Sequence, residues 1–562
     1  MQISVKDVLQ TRVLQSRILQ IDPRDNVAVA LTLLEAGVEA HCGALGCTAI
    51  EAIPAKHKMA LTDLQPGDAV YLYGMMVGEA TAFIPRGGLL HTRNLRHRAA
   101  EYSAVRQPCT FELPDATRWA ARTFMGYRRA DGQVGTRNYW LVLPLVFCEN
   151  RNVERMKEAL EEELGYGADQ HRYRHLVRAW VRRQSSSSSS LAPQELLDDA
   201  ALQRTERVFA NVDGIRFLTH QGGCGGTRAD AQALCGLLAG YIHHPNVAGA
   251  TVLSLGCQNA QASMLMDELR TRDAAMTKPV LIFDQQRMGS DAALMHAAIE
   301  GTLAGLAEAN RCQREPAPLS ALTVGLKCGG SDGFSGISAN PAVGHVSDLL
   351  VGLGARTLLS EFPELHGVEQ EFINRCASDA LAARFRDLMQ RYAARARAVG
   401  SALEMNPSTG NIADGLITDA MKSAGAARKG GLATIQDVLD YPAYATAPGL
   451  NLLCTPGNDA ESMTAQVGAG ANLVLFTTGL GTPTGNPIAP VVKISTNSAL
   501  AERMSEIVDF DAGSIVTGEA TIAETAEQLL EMSIEVASGL RLTKAELLGQ
   551  HDFIPWKRGV SL

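Results

Sequence analysis

Three apolar stretches end in a cysteine set beside glycine or a small polar residue: "LTHQGGCGG" (218–226), "VLSLGCQN" (252–259) and "TVGLKCGGSDG" (323–333). Thiolates at strand ends suit zinc, iron or an iron–sulfur cluster, which makes Cys224, Cys257 and Cys328 candidate metal ligands. No CxxC pair occurs, so a sequence-local zinc ribbon is excluded. Three cysteines from three strands would leave a fourth position open, as a catalytic metal needs. Neighbouring glycines allow the close backbone approach that a bound ion or small anion requires. For any one cysteine the alternative is a buried thiol in a tight turn. His220, four residues before Cys224, is a candidate base or ligand, with a capped turn histidine as its alternative.

Other polar groups gather at similar points. "GGSDGFSGISANP" (329–341) places Gly329, Gly330, Ser331, Asp332 and Asn340 where a turn opens a helix, an arrangement that can hold a carboxylate by backbone N–H groups. "EFPELHG" (361–367) adds Glu361, Glu364 and His366. "TTGLGTPTGNP" (477–487), with Thr482 and Asn486, is a second glycine-rich anion-type loop. It is not a Walker A sequence, since no GK[ST] follows, and ATP is discarded. No GxGxxG opens a helix after an early strand, which argues against a nicotinamide oxidoreductase. His57 and His91 are expected to be surface histidines.

The elements that must position these residues fall into an α/β class. Residues 1–105 are strand- and turn-rich and read as a small β domain, followed by a linker over 106–125. From 126 to 400, apolar strands at 139–147, 214–220, 251–257, 280–284, 322–328 and 355–361 alternate with helical stretches. Such alternation means a mostly parallel sheet covered by helices. In open sheets of this kind ligands collect beyond the carboxyl ends of the strands, so all three cysteines are expected to face one crevice. "RRQSSSSSSLAPQ" (182–194) interrupts the pattern as a low-complexity surface insertion. Residues 401–562 read as a further α/β unit.

Composition narrows the class. The 562 residues are 46% hydrophobic and 20% charged, with net charge −9. That acidic balance, with a single basic segment at 172–183, argues against nucleic acid as the main ligand. No apolar run approaches the about 20 residues that span a bilayer, and no secretory signal is evident. Eleven scattered cysteines, an odd number, point to a reducing cytoplasm rather than a disulfide scaffold. Cys235, Cys312 and Cys376 are expected to be structural.

The chain resembles the altronate and galactarate dehydratase family. The resemblance rests on "GYRRADGQVGTRNYWLVLPLVFCEN" (126–150), "SLGCQN", "LKCGGSDGFSGISANPAVG", "PGLNLLCTPGND", "GLGTPTGNPIAPVVKISTN" and "VDFDAG". It covers nearly the whole chain, including a SAF-type N-terminal domain marked by "DNVAVAL" and "GGLLHTRN". The resemblance implies a lyase that removes water from a sugar acid to give a 2-keto-3-deoxy acid. It implies ferrous iron as the metal, with Mn(2+) as a substitute; the spacing of the strand-end cysteines leaves open a mononuclear ion or an iron–sulfur cluster. Carried over by motif, the site is His220 with Cys224, Cys257, and Cys328 with Gly329–Asp332.

In such a reaction a base must reach the C2 proton and an acid must protonate the departing C3 hydroxyl. His220 is the first candidate for one role; Glu364, Lys422 or Lys493 supplies the other. The expected partner is a small sugar acid, with no nucleic acid or membrane, and a homodimer is the default assembly. The sequence also departs from the family pattern. Ile412 stands for a lysine, Ala420 and Met421 for two glutamates, and Arg93 for the second histidine of a His-x-His-Asn motif. Two other readings stay open: a C–S lyase releasing sulfite from a sulfolactate-type acid, and a non-catalytic sugar-acid-binding protein.

Overall fold

The computed structural model describes residues 17–562, except 44, 104, 110 and 168–205, within which only 177, 180 and 181 are described. The serine-rich insertion at 182–194 lies outside the described residues.

Short strands form the N-terminal domain. Val27–Ala30, Lys58–Ala60 and their neighbours make a four-stranded antiparallel sheet, and Ala69–Leu72, Met75–Ala80 and Leu95–Arg96 a three-stranded one. Both are strands of two to six residues joined by tight turns, as the Pro-Gly punctuation requires.

The next sheet holds β1 (Tyr139–Pro144), β2 (Gly214–Phe217), β3 (Val247–Ser254) and β4 (Val280–Asp284), all parallel in the order β2-β1-β3-β4. Every residue of β1 is buried, the continuous apolar run expected of a strand covered on both faces. Helices α1 (Asn150–Glu163), α2 (Arg228–His243) and α3 (Ala262–Arg272) follow β1, β2 and β3. Thr227 caps α2, its hydroxyl accepting from the Asp230 N–H while the Asp230 carboxylate accepts in return.

A second, seven-stranded parallel sheet follows. Its strands are β5 (Thr323–Cys328), β6 (Arg356–Leu359), β7 (Ile435–Asp440), β8 (Gly449–Cys454), β9 (Leu473–Thr478), β10 (Val491–Ser495) and β11 (Phe510–Asp511). They lie in the order β7-β8-β6-β5-β9-β10-β11. This corrects the boundary expected at 400. β5 and β6 pair with β8 and β9, so the break between the two α/β units falls between β4 and β5. Helical spacing looks the same on both sides of that break, and only strand pairing separates the units.

The expected linker 106–125 also ends early. Thr123–Arg128 is a strand, pairing antiparallel with Val134–Gly135 and with Arg314–Pro318. "REPAP" was not legible as a strand because of its two prolines, which an edge position tolerates.

The two α/β units meet through α2 and the helix Asp459–Gly468. A Cβ on Gly240 would stand 2.1 Å from the Gly468 carbonyl oxygen, so glycine is required at this crossing. Buried amides complete the seam: Asn246 Nδ2 donates to the Ile488 carbonyl at 2.7 Å, and Asn472 Nδ2 to that of Val134 at 3.1 Å. Among the described residues no helix is long and apolar enough to cross a membrane.

Candidate active site

The carboxyl ends of β5, β6, β8, β9 and β10 bring together a closed set of ionisable side chains, as parallel topology favours. Lys327 and Cys328 end β5. Glu361 and Glu364 follow β6, Asp459 opens the helix that runs to Gly468, and Lys493 lies in β10. Lys422 comes from the helix Asp419–Ala426, and Lys429 from the short turn after it. Lys327, Glu361 and Lys429 are fully buried.

Burial of so many charges is tolerable only if they pair. Lys327 Nζ meets Glu361 and lies 2.8 Å from Asp459 Oδ1. Lys429 Nζ is 2.8 Å from Glu361 Oε2, and Lys422 Nζ is 2.9 Å from Glu364 Oε1. Three ammonium groups therefore face three carboxylates. The nearby ammonium groups of Lys422, Lys429 and Lys327 outweigh the desolvation of Glu364 and push its carboxyl down to about 2. Cys328 sits inside this array, its thiol 3.1 Å from Glu364 Oε2 and in contact with Lys429. Burial, reinforced by Glu361 and Glu364, pushes that thiol up to about 12. Glu361 carries φ +67, a left-handed conformation costing a residue with a Cβ about 1–3 kcal/mol. The buried Thr455 hydroxyl accepts its N–H at 2.9 Å and holds the strained residue in place.

Lys493 extends the array. Its Nζ lies 3.3 Å from the centre of the Phe476 ring, whose ring also carries Lys327 at 5.4 Å. Burial pushes the Lys493 ammonium down to about 7.

The N-terminal domain covers the array. Lys56 Nζ reaches Asp332 Oδ2 at 3.0 Å and Asp414 Oδ1 at 2.7 Å, and the buried Lys58 Nζ donates to the Gly415 carbonyl at 2.6 Å. A Cβ on Gly333 would stand 2.2 Å from the Lys56 carbonyl oxygen, a measure of how tightly the domains meet. At the same seam His97 stacks on His366 with ring centres 5.3 Å apart, and His366 Nδ1 lies 2.7 Å from Asp419 Oδ2. One ligand atom from each of His97, His366 and Asp419 falls within a common 4.8 Å. Asp419 Oδ1 is buried without a hydrogen-bond partner, and burial pushes this carboxyl up to about 7.

Several expected site residues take other roles. His220 is not free to act as a base: Nε2–H donates to the Pro144 carbonyl at 2.8 Å, and Nδ1 accepts from the Gly222 N–H at 3.1 Å. Burial pushes it down to about 4. Asp332 accepts from Ser335, Thr496 and Lys56 and knits the domains together. Asn340 accepts from the Thr477 hydroxyl at 2.6 Å and donates to Gly425, and Asn486 bridges to Tyr241 across the seam. The turn is likewise engaged: the Gly329 N–H donates to the Thr477 carbonyl, the Gly330 carbonyl accepts from Gly479, and the Ser331 carbonyl accepts from Asn411. Thr482 donates its N–H to the Thr478 hydroxyl at 3.1 Å. Ile412 packs against the apolar core.

The three cysteines do not share a crevice. Cys328 is buried in the seven-stranded unit, whereas Cys224 and Cys257 are exposed at the ends of β2 and β3. Of the candidates for the second role, Glu364 and Lys422 pair with each other, and Lys493 shares the Phe476 ring with Lys327. Lys327, Glu361 as a charge partner, Lys429, Asp459, His97 and Asp419 were missed, because no local motif marks them.

Residues 16–98 match the model of the altronate/galactarate dehydratase SAF domain, 126–310 that of the D-galactarate dehydratase/altronate hydrolase second domain, and 319–561 that of the D-galactarate/altronate dehydratase C-terminal domain. Altronate dehydratase of Escherichia coli is 34% identical over 97% of this chain and 99% of its own. Galactarate dehydratase (L-threo-forming) of the same organism is 31% identical over 95% of both chains. The (2R)-sulfolactate sulfo-lyase subunit beta of Chromohalobacter salexigens is 31% identical over 77% of this chain and 97% of its own.

Proposed function

The chain belongs to the D-galactarate/altronate dehydratase family, and we propose that it is a metal-dependent hydro-lyase converting an altronate-like aldonate or an aldarate to a 2-keto-3-deoxy acid. The observation that carries this reading is the array of three lysines and three carboxylates around Cys328, with Lys493 at its border.

Removing a C2 proton beside a carboxylate builds charge on the carboxylate oxygens, and preformed cations in a dry site are the strongest way to stabilise it. Lys327, Lys422 and Lys429 supply them. Lys493, held near neutrality by burial, has the proton affinity a general base needs at physiological pH. Lys422, kept charged by Glu364, is positioned to protonate the departing C3 hydroxyl. The enol left by loss of water then tautomerises to the keto acid. Asp459, about 29% exposed, is the member of the array nearest solvent and marks the side from which substrate enters.

Ferrous iron is the proposed metal, and donor chemistry favours one place for it. Cys328, Glu361 and Glu364 also offer ligand atoms within 4.8 Å of one another, but both carboxylates are already matched by ammonium groups, which a divalent ion would have to displace. Two imidazoles and a carboxylate with an unpartnered buried oxygen do fit: His97, His366 and Asp419. They stand near the positions where the family's own histidine and glutamates are replaced by Arg93, Ala420 and Met421. When bound there, the metal would polarise substrate oxygens.

The test uses protein purified without oxygen and supplied with Fe(II), offered aldonates, aldarates and sulfolactate, with 2-keto acid and sulfite measured separately. A 2-keto-3-deoxy product supports dehydration. Sulfite without keto-deoxy sugar acid moves the reading to C–S cleavage, and silence on every acid overturns it.

A further inference from the structure

Of the eleven cysteines, three are exposed: Cys148, Cys224 and Cys257. They are the cysteines that follow β1, β2 and β3, the three adjacent parallel strands of one sheet. A free thiol is ordinarily among the most buried side chains, so exposure confined to three neighbouring strand ends calls for a cause.

The loops that carry them are tied to one another. Phe147, next to Cys148, donates its N–H to the Gly222 carbonyl at 3.1 Å. Asn259 and Ala260, just beyond Cys257, donate theirs to the Gly223 carbonyl at 2.9 and 3.0 Å. Gly222 and Gly223 immediately precede Cys224, so one stretch of backbone gathers all three loops. Gly223 is pressed so close to the first loop that a Cβ there would stand 2.2 Å from the Leu145 carbonyl oxygen. The Asn150 side chain donates to the His220 carbonyl at 2.8 Å, and the buried, neutral His220 ring pins the second loop to Pro144. The role left for His220 is therefore positioning. Beside these loops lies a cavity of about 460 Å³. Cys224, Asn150 and Asn259 line it, the last two standing two residues from Cys148 and Cys257, and segment 553–557 forms its far wall.

We propose that Cys148, Cys224 and Cys257 bind a [4Fe–4S] cluster through three thiolates, leaving one iron without a protein ligand and open to the cavity. A cluster is chosen over a single zinc or iron ion: among the described residues the donor sets within 4.8 Å of one another do not include these cysteines, whereas a cluster holds its thiolates on separate irons. Helices α1, α2 and α3 begin two to five residues after the three cysteines, so their positive ends border the anionic cluster. The open iron suits an oxygen ligand from water or a small anion, and the cluster does not rest on the dehydration reading.

Full-length protein, produced with iron and purified without oxygen, is assayed for acid-labile sulfide, for visible absorbance near the thiolate-to-iron bands, and for an electron paramagnetic resonance signal after reduction. About four sulfides per chain are expected, falling at least severalfold in Cys148→Ser, Cys224→Ser and Cys257→Ser but not in Cys42→Ser. Mass spectrometry after alkylation reports the same three thiols as protected only in the loaded wild-type protein. Absence of sulfide in the wild type, or sulfide unchanged in all three variants, overturns the proposal. Circular dichroism separates loss of the cluster from loss of fold. Keto-acid formation by sulfide-free protein would remove the cluster and leave the dehydratase; a cluster without turnover on the panel would do the reverse.

Discussion

Two sets of strand ends in this molecule handle polarity in opposite ways. At the seven-stranded sheet, charge is sealed inside: Lys327, Lys429 and Glu361 have no solvent contact, and each is matched by a partner within the array. At the four-stranded sheet the reactive atoms are left outside, with Cys148, Cys224 and Cys257 exposed, Cys224 lining a cavity, and backbone hydrogen bonds, not ion pairs, fixing the loops. The first region needs all its members to stay folded, because a buried charge without its partner is costly. The second keeps its shape whether or not its thiols are intact. The same topological position thus yields an interlocked site and a separable one.

The largest expected contrast is in stability. Lys429→Met leaves Glu361 short of a partner and should cost about 3–5 kcal/mol in urea unfolding, whereas Cys224→Ser in metal-free protein should stay within about 0.5 kcal/mol. A Lys429 variant as stable as the Cys224 variant would erase the distinction. Activity comes next. If Lys493 is the base, kcat/KM should rise as pH rises through about 7, because the amine is protonated and idle below it. Lys493→Met should lower kcat by about 10²–10⁴ and flatten that limb. An unchanged limb in the variant would take the base out of the sealed region.

A smaller effect probes the contact between the two units. Gly240→Ala drives a methyl into the Gly468 carbonyl and should cost about 1–3 kcal/mol, seen as a lower unfolding midpoint for both units together. Separate transitions for the two would sharpen the comparison further. Least is expected of the cover: Lys56→Met removes one partner of the buried Asp332, which keeps its bonds from Ser335 and Thr496, and one of Asp414, and should cost about 1–2 kcal/mol, measured by the same unfolding assay.

Much of the frame was legible. The uninterrupted apolar runs of β1 and β5 announced strands buried on both faces. Cys224, Cys257, Glu364, Lys422 and Lys493 were all singled out by type and position. Cys148 could have been found by the same grammar, since "VLPLVFCEN" also closes a strand with a cysteine and a polar residue. Lys429 and His97 could not. Nothing near either in the chain suggests a charge or metal site, and their partners lie far away in sequence, Glu361 for one and His366 for the other.

The sequence by itself determined which residues stand at strand ends, which turns need glycine, and which family the motifs resemble, because period, capping and turn chemistry act over a few residues. Only the tertiary structure decided which strand ends are neighbours. Fully buried parallel strands share one apolar pattern and carry no local label for their partners. So β5 joins β9 and β6 in one sheet while β1 sits between β2 and β3 in another. That pairing sent Cys328 into a ring of lysines and carboxylates and left Cys224 and Cys257 outside with Cys148.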